Sequence, residues 1–304
     1  MKLTVIGAGS AYAPEIFDGL IARRDAFCFD EIDLVDIEDG MPRARIIHAF
    51  ALRMFEAADY PVRIRLTMDC REALKGADFV ISQIRVGIWR ARAVDEQTGM
   101  ELGLVGQETT GAGGFMNAMR TIPNYYFENE MRDKQLTEWR TERKSRAVIV
   151  HEIDEELFRA YADPTLTEKP AQLAQRGGSL YSFAALNIIQ ALLGDQPWEM
   201  AVNLQNKGAI PGLEEDDVVE MNCRVSRGGV ERIAFEPLPQ QVTGLVQTVK
   251  QYERLTVEAA SLRSRRLAVQ ALLNHPLIHG YRNAEAVVAM LEQRFPQYIH
   301  WEEV

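Results

Sequence analysis

The residues whose types and spacing point most directly to chemistry lie near the N-terminus. Gly7, Gly9 and Ser10 form a glycine-rich turn after an apolar segment at residues 1–6, and Asp36 ends a second apolar segment. Glycines let the backbone approach a pyrophosphate closely, and the N-terminus of a following helix favours negative charge. The Asp36 carboxylate can accept hydrogen bonds from both hydroxyls of an adenosine ribose and would repel a 2′-phosphate. The pattern therefore predicts a dinucleotide site that prefers NAD to NADP.

The glycine motif alone also fits an ordinary turn between a strand and a helix. Tyr12 stands where the full dinucleotide motif has its third glycine, and two glycines separated by one residue are a weak signal. The preceding apolar strand and the position of Asp36 favour the dinucleotide site over the ordinary turn.

The elements that must position these residues alternate between strands and helices. Apolar strands are predicted at residues 1–6, 32–35, 62–66 and 79–84, with helices at 14–24, 43–57 and 72–75. This order predicts the first half of a Rossmann-like parallel sheet, in which ligands bind beyond the carboxyl ends of the strands. Arg85 directly follows the fourth strand and is therefore a further candidate for ligand binding, although a single arginine after a strand is more often an ordinary surface residue.

A second lobe is predicted after the Rossmann-like part, so that residues 1–123 and 124–304 form two domains. The second lobe is of α+β type and mainly helical: helices are predicted at 146–161 and 180–193, a β-hairpin around residues 228–229, and three further helices near the C-terminus. The last of these helices has Asn283 as its predicted N-terminal cap.

Composition and charge narrow the class of protein. The chain has 304 residues and a net charge of −10, and neither a basic cluster nor an apolar run long enough to cross a membrane is present in the sequence. The three cysteines form no paired motif, as expected for reduced thiols in a cytoplasmic protein. We therefore expect a cytoplasmic protein with no nucleic-acid and no membrane partner, which would bind an anionic ligand through local arginines.

A glycine-rich stretch at residues 106–114 has the composition of a loop that folds over a ligand, and it contains one carboxylate, Glu108. Together with the N-terminal motif, this stretch resembles glycoside hydrolase family 4, and within that family the 6-phospho-β-glucosidases. The resemblance covers nearly the whole chain, in the order of the family, at residues 7–15, 34–37, 83–87, 105–114, 120–123, 176–182, 203–212, 218–225 and 245–260.

The resemblance implies a redox route to glycoside hydrolysis in place of the usual pair of carboxylates. NAD would take a hydride from C3 of the sugar, and a tyrosine would remove the C2 proton that the new ketone acidifies. A divalent metal, Mn²⁺ in this family, would stabilise the enediolate. After loss of the aglycone and addition of water the hydride would return, so that no NADH accumulates.

The resemblance also implies roles for single residues. The glycine turn and Asp36 match cofactor positions. Arg85 matches a sugar-binding arginine, Glu108 lies in the active-site loop, and Arg146 resembles an arginine that binds the 6-phosphate of a phosphorylated sugar. Asn206 resembles an asparagine of a substrate loop.

Tyr125 or Tyr126 is the candidate catalytic base, and aromatic packing is the alternative for both. In the family, a long segment separates the helix ending here at Pro123 from this tyrosine-rich stretch. That segment holds the remaining sheet strands and the Cys and His ligands of the metal, and none of these is recognisable here. We therefore predict an internal gap after Pro123 and name no metal ligand. A deletion, natural or engineered, and omission of a segment from the chain as given both explain such a gap.

Three interpretations follow from the sequence. The first is a family 4 enzyme whose active form needs the segment that is missing. The second is a remnant that binds dinucleotide, or nothing, and does not catalyse. The third is an NAD-dependent hydroxy-acid dehydrogenase, which is disfavoured because no histidine stands beside a suitable Asp or Arg. A sheet that ends early would also leave an apolar edge and face uncovered, which should drive oligomerisation or be covered by helices of the second lobe. We expect a homo-oligomer.

Overall fold

The computed structural model describes residues 1–104, 133, 136–137, 139–141, 145–176, 179–234 and 236–302. The first part contains strands and helices in alternation: β1 (Lys2–Ile6), α1 (Ala13–Ile21), β2 (Glu31–Val35), α2 (Met41–Ala57), β3 (Arg63–Thr67), α3 (Cys70–Leu74), β4 (Phe79–Ser82) and α4 (Ile88–Glu101). The later part contains α5 (Arg146–Tyr161), α6 (Leu173–Arg176), α7 (Ser179–Leu193), β5 (Trp198–Gln205), β6 (Val218–Ser226), β7 (Gly229–Arg232), α8 (Gln240–Ser261), α9 (Arg265–Asn274) and α10 (Tyr281–Arg294).

The first four strands form one parallel sheet in the order β3-β2-β1-β4. Leu3 of β1 lies opposite Ile32 of β2 and Phe79 of β4, so that apolar side chains align across the sheet. The strand order confirms the predicted Rossmann-like fold, because β1 lies in the middle and its carboxyl end faces the turn into α1. Among the described residues, this sheet has four strands and β4 is one of its edges.

The main apolar core lies on the face of this sheet that α1 and α2 cover. Fully buried side chains from the strands and both helices pack together there, including Phe17, Ile32 and Phe50. Tyr161 of α5 joins this core and stacks on Phe50, with 5.0 Å between the ring centroids. Leu186 of α7 is also fully buried in it. Helices from the later part of the sequence therefore complete the core around the N-terminal sheet.

A buried ion cluster lies on the opposite face of the sheet. The side chain of Asp33 in β2 is 0% exposed and pairs with Lys2 of β1 at 2.9 Å and with Arg65 of β3 at 2.6 Å. Burial alone would raise the pKa of Asp33, but hydrogen bonds from Arg65 and Lys2 lower it below its ordinary value. The cluster connects the three neighbouring strands β1, β2 and β3.

Backbone contacts divide the chain into two compact units. The first comprises Met1–Trp89, Val148–Met200 and Arg224–Glu231, and the second comprises Arg90–Ala147, Ala201–Cys223 and Arg232–Val304. The predicted domain boundary at residues 123 and 124 lies outside the described residues and stays a prediction. Within the second unit, α8 packs against α9 and α9 packs against α10, and Val269, Ala284 and Val288 form a small core.

The observed helices and strands after residue 145 agree with those predicted from the sequence in most places. Helix α5 has the predicted bounds, and β6 and β7 flank a turn at residues 227–228, after which Gly229 begins β7 with a φ of 110°. β5 pairs with β6 to make a three-stranded sheet, although no strand was predicted there. The prediction of Asn283 as a cap is wrong, because α10 begins at Tyr281 after Gly280, whose φ of 86° ends the preceding turn. No described helix combines the length and the apolar character that crossing a membrane requires.

Candidate functional site

The glycine turn packs against the ends of two neighbouring strands. The backbone N–H groups of Gly7 and Ala8 both donate to the carbonyl of Val35, at 2.9 and 3.0 Å. Gly7 has a φ of +82°, and a Cβ added to it would lie 2.8 Å from the carbonyl oxygen of Gln83. Only glycine fits this position without strain, since both the dihedral and the space exclude a side chain. The turn is therefore held open at the carboxyl edge of the sheet.

The Asp36 carboxylate lies against this turn. Its Oδ2 accepts a hydrogen bond from the N–H of Gly9 at 2.6 Å, and its Oδ1 accepts one from the N–H of Ile37 at 2.9 Å. A Cβ added to Gly9 would lie 2.9 Å from Oδ2, so the close approach again requires glycine. A carboxylate has about four acceptor positions, and two of them stay available for the hydroxyls of a ribose. The half-buried carboxylate thus fits the predicted cofactor role.

Helix α1 begins directly after the turn. Ser10 accepts a hydrogen bond at its Oγ from the N–H of Tyr12 at 3.2 Å, and its carbonyl accepts one from Ala13 at 3.0 Å. Pro14 in the first turn of the helix suits this position, because its missing N–H would have no partner there. The helix N-terminus and the glycines together form the cradle that a pyrophosphate needs. The residues present therefore fit a dinucleotide.

Gln83 and Arg85 extend this edge of the sheet beyond β4. Nε2 of Gln83 is buried and has no hydrogen-bond partner among the described residues. Arg85 is exposed, and its carbonyl accepts a hydrogen bond from the N–H of Ile88 at 3.2 Å, which closes a turn. The structure thus brings together, at the carboxyl ends of β1, β2 and β4, five residues singled out from the sequence: Gly7, Gly9, Ser10, Asp36 and Arg85.

Two tyrosines that the sequence did not single out support the turn. The hydroxyl of Tyr161, which is fully buried, donates to the carbonyl of Ala11 at 2.9 Å. Tyr12 is buried where a third glycine was expected, and burial raises the pKa of its hydroxyl. The guanidinium of Arg176 lies 5.7 Å from the Tyr12 ring centroid and donates to Asp154 at 2.5 Å. The apolar spacing of α5 predicted that Tyr161 faces inward, but no signal in the sequence connects it with Ala11.

Arg146 and Asn206 both belong to the second unit. Arg146 begins α5, and the N–H of the next residue, Ala147, donates to the buried carboxylate of Glu96 at 2.9 Å. Glu96 also accepts a hydrogen bond from Nε of Arg92 at 2.7 Å. A carboxylate at this position stabilises the start of a helix.

Asn206 is 0% exposed, and its side chain bonds within its own loop. Its Nδ2 lies within hydrogen-bond distance of the carbonyls of Ile210, Leu213 and Glu214, at 3.1, 3.2 and 3.1 Å, and its Oδ1 accepts from the N–H of Ile210 at 2.7 Å. These contacts give Asn206 a framework role in the loop from 206 to 217. A contact between Asn206 and substrate stays a prediction.

Three other predicted residues, Glu108, Tyr125 and Tyr126, lie outside the described residues. All three cysteines and all five histidines do lie in the described ranges. Within these ranges, no group of three or more His, Cys, Asp or Glu side chains could hold a metal ion. The described residues therefore do not by themselves form a metal centre with three or more such ligands.

Comparison with known proteins gives two family matches. A model described as "Family 4 glycosyl hydrolase" matches residues 2–131, and one described as "Family 4 glycosyl hydrolase C-terminal domain" matches residues 102–278. A Bacillus subtilis protein named "Probable 6-phospho-beta-glucosidase" is 29% identical over 430 aligned positions, which cover 98% of this chain and 97% of that protein. More than a hundred of these positions have no residue of this 304-residue chain, in agreement with the predicted internal gap. The location of the gap at Pro123 stays a prediction.

Two solved structures have the same fold. Both are of the 6-phospho-β-glucosidase of Thermotoga maritima, one with NAD and glucose-6-phosphate and the other with manganese, NAD⁺ and glucose-6-phosphate. Each is 24% identical and covers 99% of this chain and 100% of the other, with TM-scores of 0.86 and 0.85.

Proposed function

We infer the function from the family of this chain. The chain belongs to family 4 of the glycosyl hydrolases, since the model of the family's C-terminal domain matches more than half of its residues. We propose that it is an NAD- and divalent-metal-dependent glycosidase that acts on 6-phospho-β-glucosides. The similar proteins named above are 6-phospho-β-glucosidases, and one of their structures contains manganese. A non-catalytic dinucleotide-binding remnant and a hydroxy-acid dehydrogenase are the alternatives.

One observation supports this proposal most strongly: the contact between the glycine turn and Asp36. Gly9 donates to Asp36 at 2.6 Å, and neither Gly7 nor Gly9 has room for a side chain. This chain has thus kept the geometry that a dinucleotide requires. NAD would supply a hydride acceptor that oxidises C3 of the sugar and later returns the hydride. Asp36 would orient the adenosine ribose, and the cradle at Ser10 would bind the pyrophosphate.

The substrate would be bound by two arginines. Arg85, exposed beside the cofactor edge, would donate hydrogen bonds to sugar hydroxyls, and Arg146 would bind the 6-phosphate through charge-assisted hydrogen bonds. Asn206 would keep the substrate loop in shape, and Glu108 would belong to the active-site loop. Tyr125 or Tyr126 would accept the C2 proton. A divalent cation would need ligands from outside the described residues or from the substrate itself.

An assay with 4-nitrophenyl 6-phospho-β-glucoside tests the proposal. The full chain is incubated with NAD, Mn²⁺ and a reductant, and both released 4-nitrophenol and NADH absorbance are followed. Slow release of 4-nitrophenol, far below that of a longer relative, that depends on NAD and gives no net NADH is the expected result. Binding of NAD and of glucose 6-phosphate is measured on the same samples by calorimetry.

The alternatives give different results in this assay. A hydroxy-acid dehydrogenase would accumulate NADH with its own substrate. A remnant would bind NAD and release no 4-nitrophenol at any metal concentration. A chain that binds neither NAD nor glucose 6-phosphate would contradict the proposal. A cytoplasmic location and a homo-oligomeric state, expected from the sequence, stay predictions.

A further inference from the structure

The turn that presents Arg85 has an unusual backbone. The N–H of Ile88 donates to the carbonyl of Arg85 at 3.2 Å, and Gly87 within this turn has a φ of 70°. Ile88 itself has a φ of 48°. The left-handed region is costly for a β-branched residue, so such a residue stays there only when its surroundings hold it. Something next to Ile88 must therefore fix the end of the turn.

The neighbouring side chain supplies this anchor. Trp89 stacks on His151 of α5, with ring centroids 3.8 Å apart and planes inclined by 9°. Nδ1 of His151 is buried without a hydrogen-bond partner among the described residues, and the carboxylate of Glu155 lies 3.8 Å away, too far for a hydrogen bond. Glu155 is itself bound to Arg43 at 2.6 Å. The ring face of His151, used for stacking, is thus its best-defined contact.

We propose that the stack of Trp89 on His151 positions Arg85 to bind the sugar hydroxyls of a phosphorylated sugar. Trp89 follows the turn directly, so fixing its ring fixes Ile88 in the left-handed conformation and closes the turn whose first residue is Arg85. His151 is then a positioning residue that acts through Trp89. This inference rests on the proposed function, because it takes Arg85 as a substrate-binding residue.

Core packing does not account for His151. The apolar side of α5 is formed by Leu157, Phe158 and Tyr161, all of which are buried in the main core. The His151 side chain is 25% exposed and is not part of that core. Replacing it should therefore leave the fold intact and change mainly the neighbouring turn.

The test measures the affinities of the full-length chain for glucose 6-phosphate and for NAD by calorimetry. His151→Ala removes the stack, whereas His151→Phe keeps an aromatic face at the same position. An aromatic pair contributes about 0.5–1.5 kcal/mol, so His151→Ala should weaken glucose 6-phosphate binding about threefold to tenfold. The affinity for NAD should not change, and His151→Phe should restore glucose 6-phosphate binding.

Two further variants make the result specific. Phe183→Ala removes an exposed ring that forms an edge-to-face pair with Trp198, away from the Trp89–His151 stack in the sequence. This control variant should bind glucose 6-phosphate and NAD as the parent chain does. Arg85→Ala should abolish or greatly weaken glucose 6-phosphate binding. If Arg85→Ala weakens that binding and His151→Ala does not, the positioning role is wrong and the proposed function stands.

Other outcomes also overturn the inference. Equal loss of affinity for NAD and glucose 6-phosphate in His151→Ala would show a general structural role. Failure of His151→Phe to restore binding would show that stacking is not the property that matters. If the parent chain does not bind glucose 6-phosphate, or if Arg85→Ala binds it as the parent does, the assignment of the substrate site fails and this inference fails with it.

Discussion

The Asp36 carboxylate has two roles at the glycine turn. It is the candidate ligand of the adenosine ribose, and it also accepts hydrogen bonds from the backbone N–H groups of Gly9 and Ile37. The second role explains why the carboxylate points at the turn. Loss of this side chain should therefore affect both the ribose contact and the shape of the cradle.

Asp36→Ala should weaken NAD binding about tenfold to a hundredfold, because a hydrogen bond to a charged group contributes about 1.5–3 kcal/mol. Calorimetric titration with NAD measures the change. Glu38→Ala is the matched control, since Glu38 is an exposed carboxylate two residues further on. Equal NAD affinity of Asp36→Ala and the parent chain would refute the cofactor site.

Tyr161 connects α5 with the cofactor turn through its hydroxyl. Its bond to the carbonyl of Ala11 is buried, and Phe in its place would fill the same space without the donor. Tyr161→Phe should therefore lower the free energy of unfolding by about 1 kcal/mol near neutral pH. Denaturant titration measures this value, and Tyr298→Phe, at an exposed tyrosine, is the control.

The same residue predicts how stability depends on pH. Burial raises the pKa of Tyr161 above its ordinary value of 10.0, so the folded state keeps a proton that the unfolded state loses. The stabilisation is complete below the ordinary pKa and is lost as the pH rises above it. Stability should fall above about pH 10, and less steeply in Tyr161→Phe. An equal alkaline slope in both proteins would contradict this account.

At the scale of elements, the loop between β5 and β6 depends on one side chain. Asn206 is fully buried; its Nδ2 lies within hydrogen-bond distance of three backbone carbonyls of this loop, and its Oδ1 accepts from one backbone N–H. Asn206→Ala would leave several buried backbone groups without partners, at a cost of about 1–3 kcal/mol for each unsatisfied group.

We therefore expect Asn206→Ala to destabilise the chain by at least about 2 kcal/mol, with Asn203→Ala, at an exposed position on β5, as the neutral control. Denaturant titration of both variants decides the point. An Asn206→Ala chain that is as stable as the parent, but binds glucose 6-phosphate poorly, would favour direct substrate contact over the framework role.

The strands around the cofactor were predictable because they are short apolar runs that end in turn residues. β1 to β4 lie within two residues of their predicted bounds, and the predicted cofactor residues meet at their carboxyl ends. Helix α4 was not predicted, because charged residues within its sequence interrupt the apolar spacing and Gly99 lies inside it. β5 was missed because its exposed and half-buried residues do not alternate strictly.

Contacts between distant segments could not be derived from the sequence. The bond from Tyr161 to Ala11 and the stack of Trp89 on His151 each join residues that no local pattern relates. Apolar spacing predicts which side of a helix faces inward, but it does not say which element that side meets. The prediction of Asn283 as the cap of α10 was wrong for a local reason. Gly280, which has a positive φ, precedes the helix, so the helix begins earlier than Asn283 would allow.

At the scale of the whole molecule, the chain combines a glycine turn that fits a dinucleotide with a sequence shorter than that of its relative. The Bacillus subtilis relative aligns over 430 positions, whereas this chain has 304 residues. Every cysteine and histidine lies in the described ranges, and none of them belongs there to a group of three or more side chains that could hold a metal. The two features together predict that binding and catalysis are separated in this protein.

The chain should bind NAD and glucose 6-phosphate but hydrolyse 6-phospho-β-glucosides at least about a hundredfold more slowly than a longer relative. A loss in rate of about this size is seen when an enzyme loses one group that stabilises an oxyanion. Removing the proton at C2 of a sugar ketone places negative charge on oxygen, and a tyrosine is too weak a base to do so unless that charge is neutralised. Among the described residues, no group of three or more His, Cys, Asp or Glu side chains could hold a cation that does this. If Arg85 and Arg146 bind substrate as proposed, binding should outlast catalysis. Release of 4-nitrophenol from its 6-phospho-β-glucoside, with NAD, Mn²⁺ and a reductant, is compared with that of the Bacillus subtilis relative. Metal-dependent turnover equal to the relative's would show that the segment missing here is dispensable or that its ligands are supplied elsewhere.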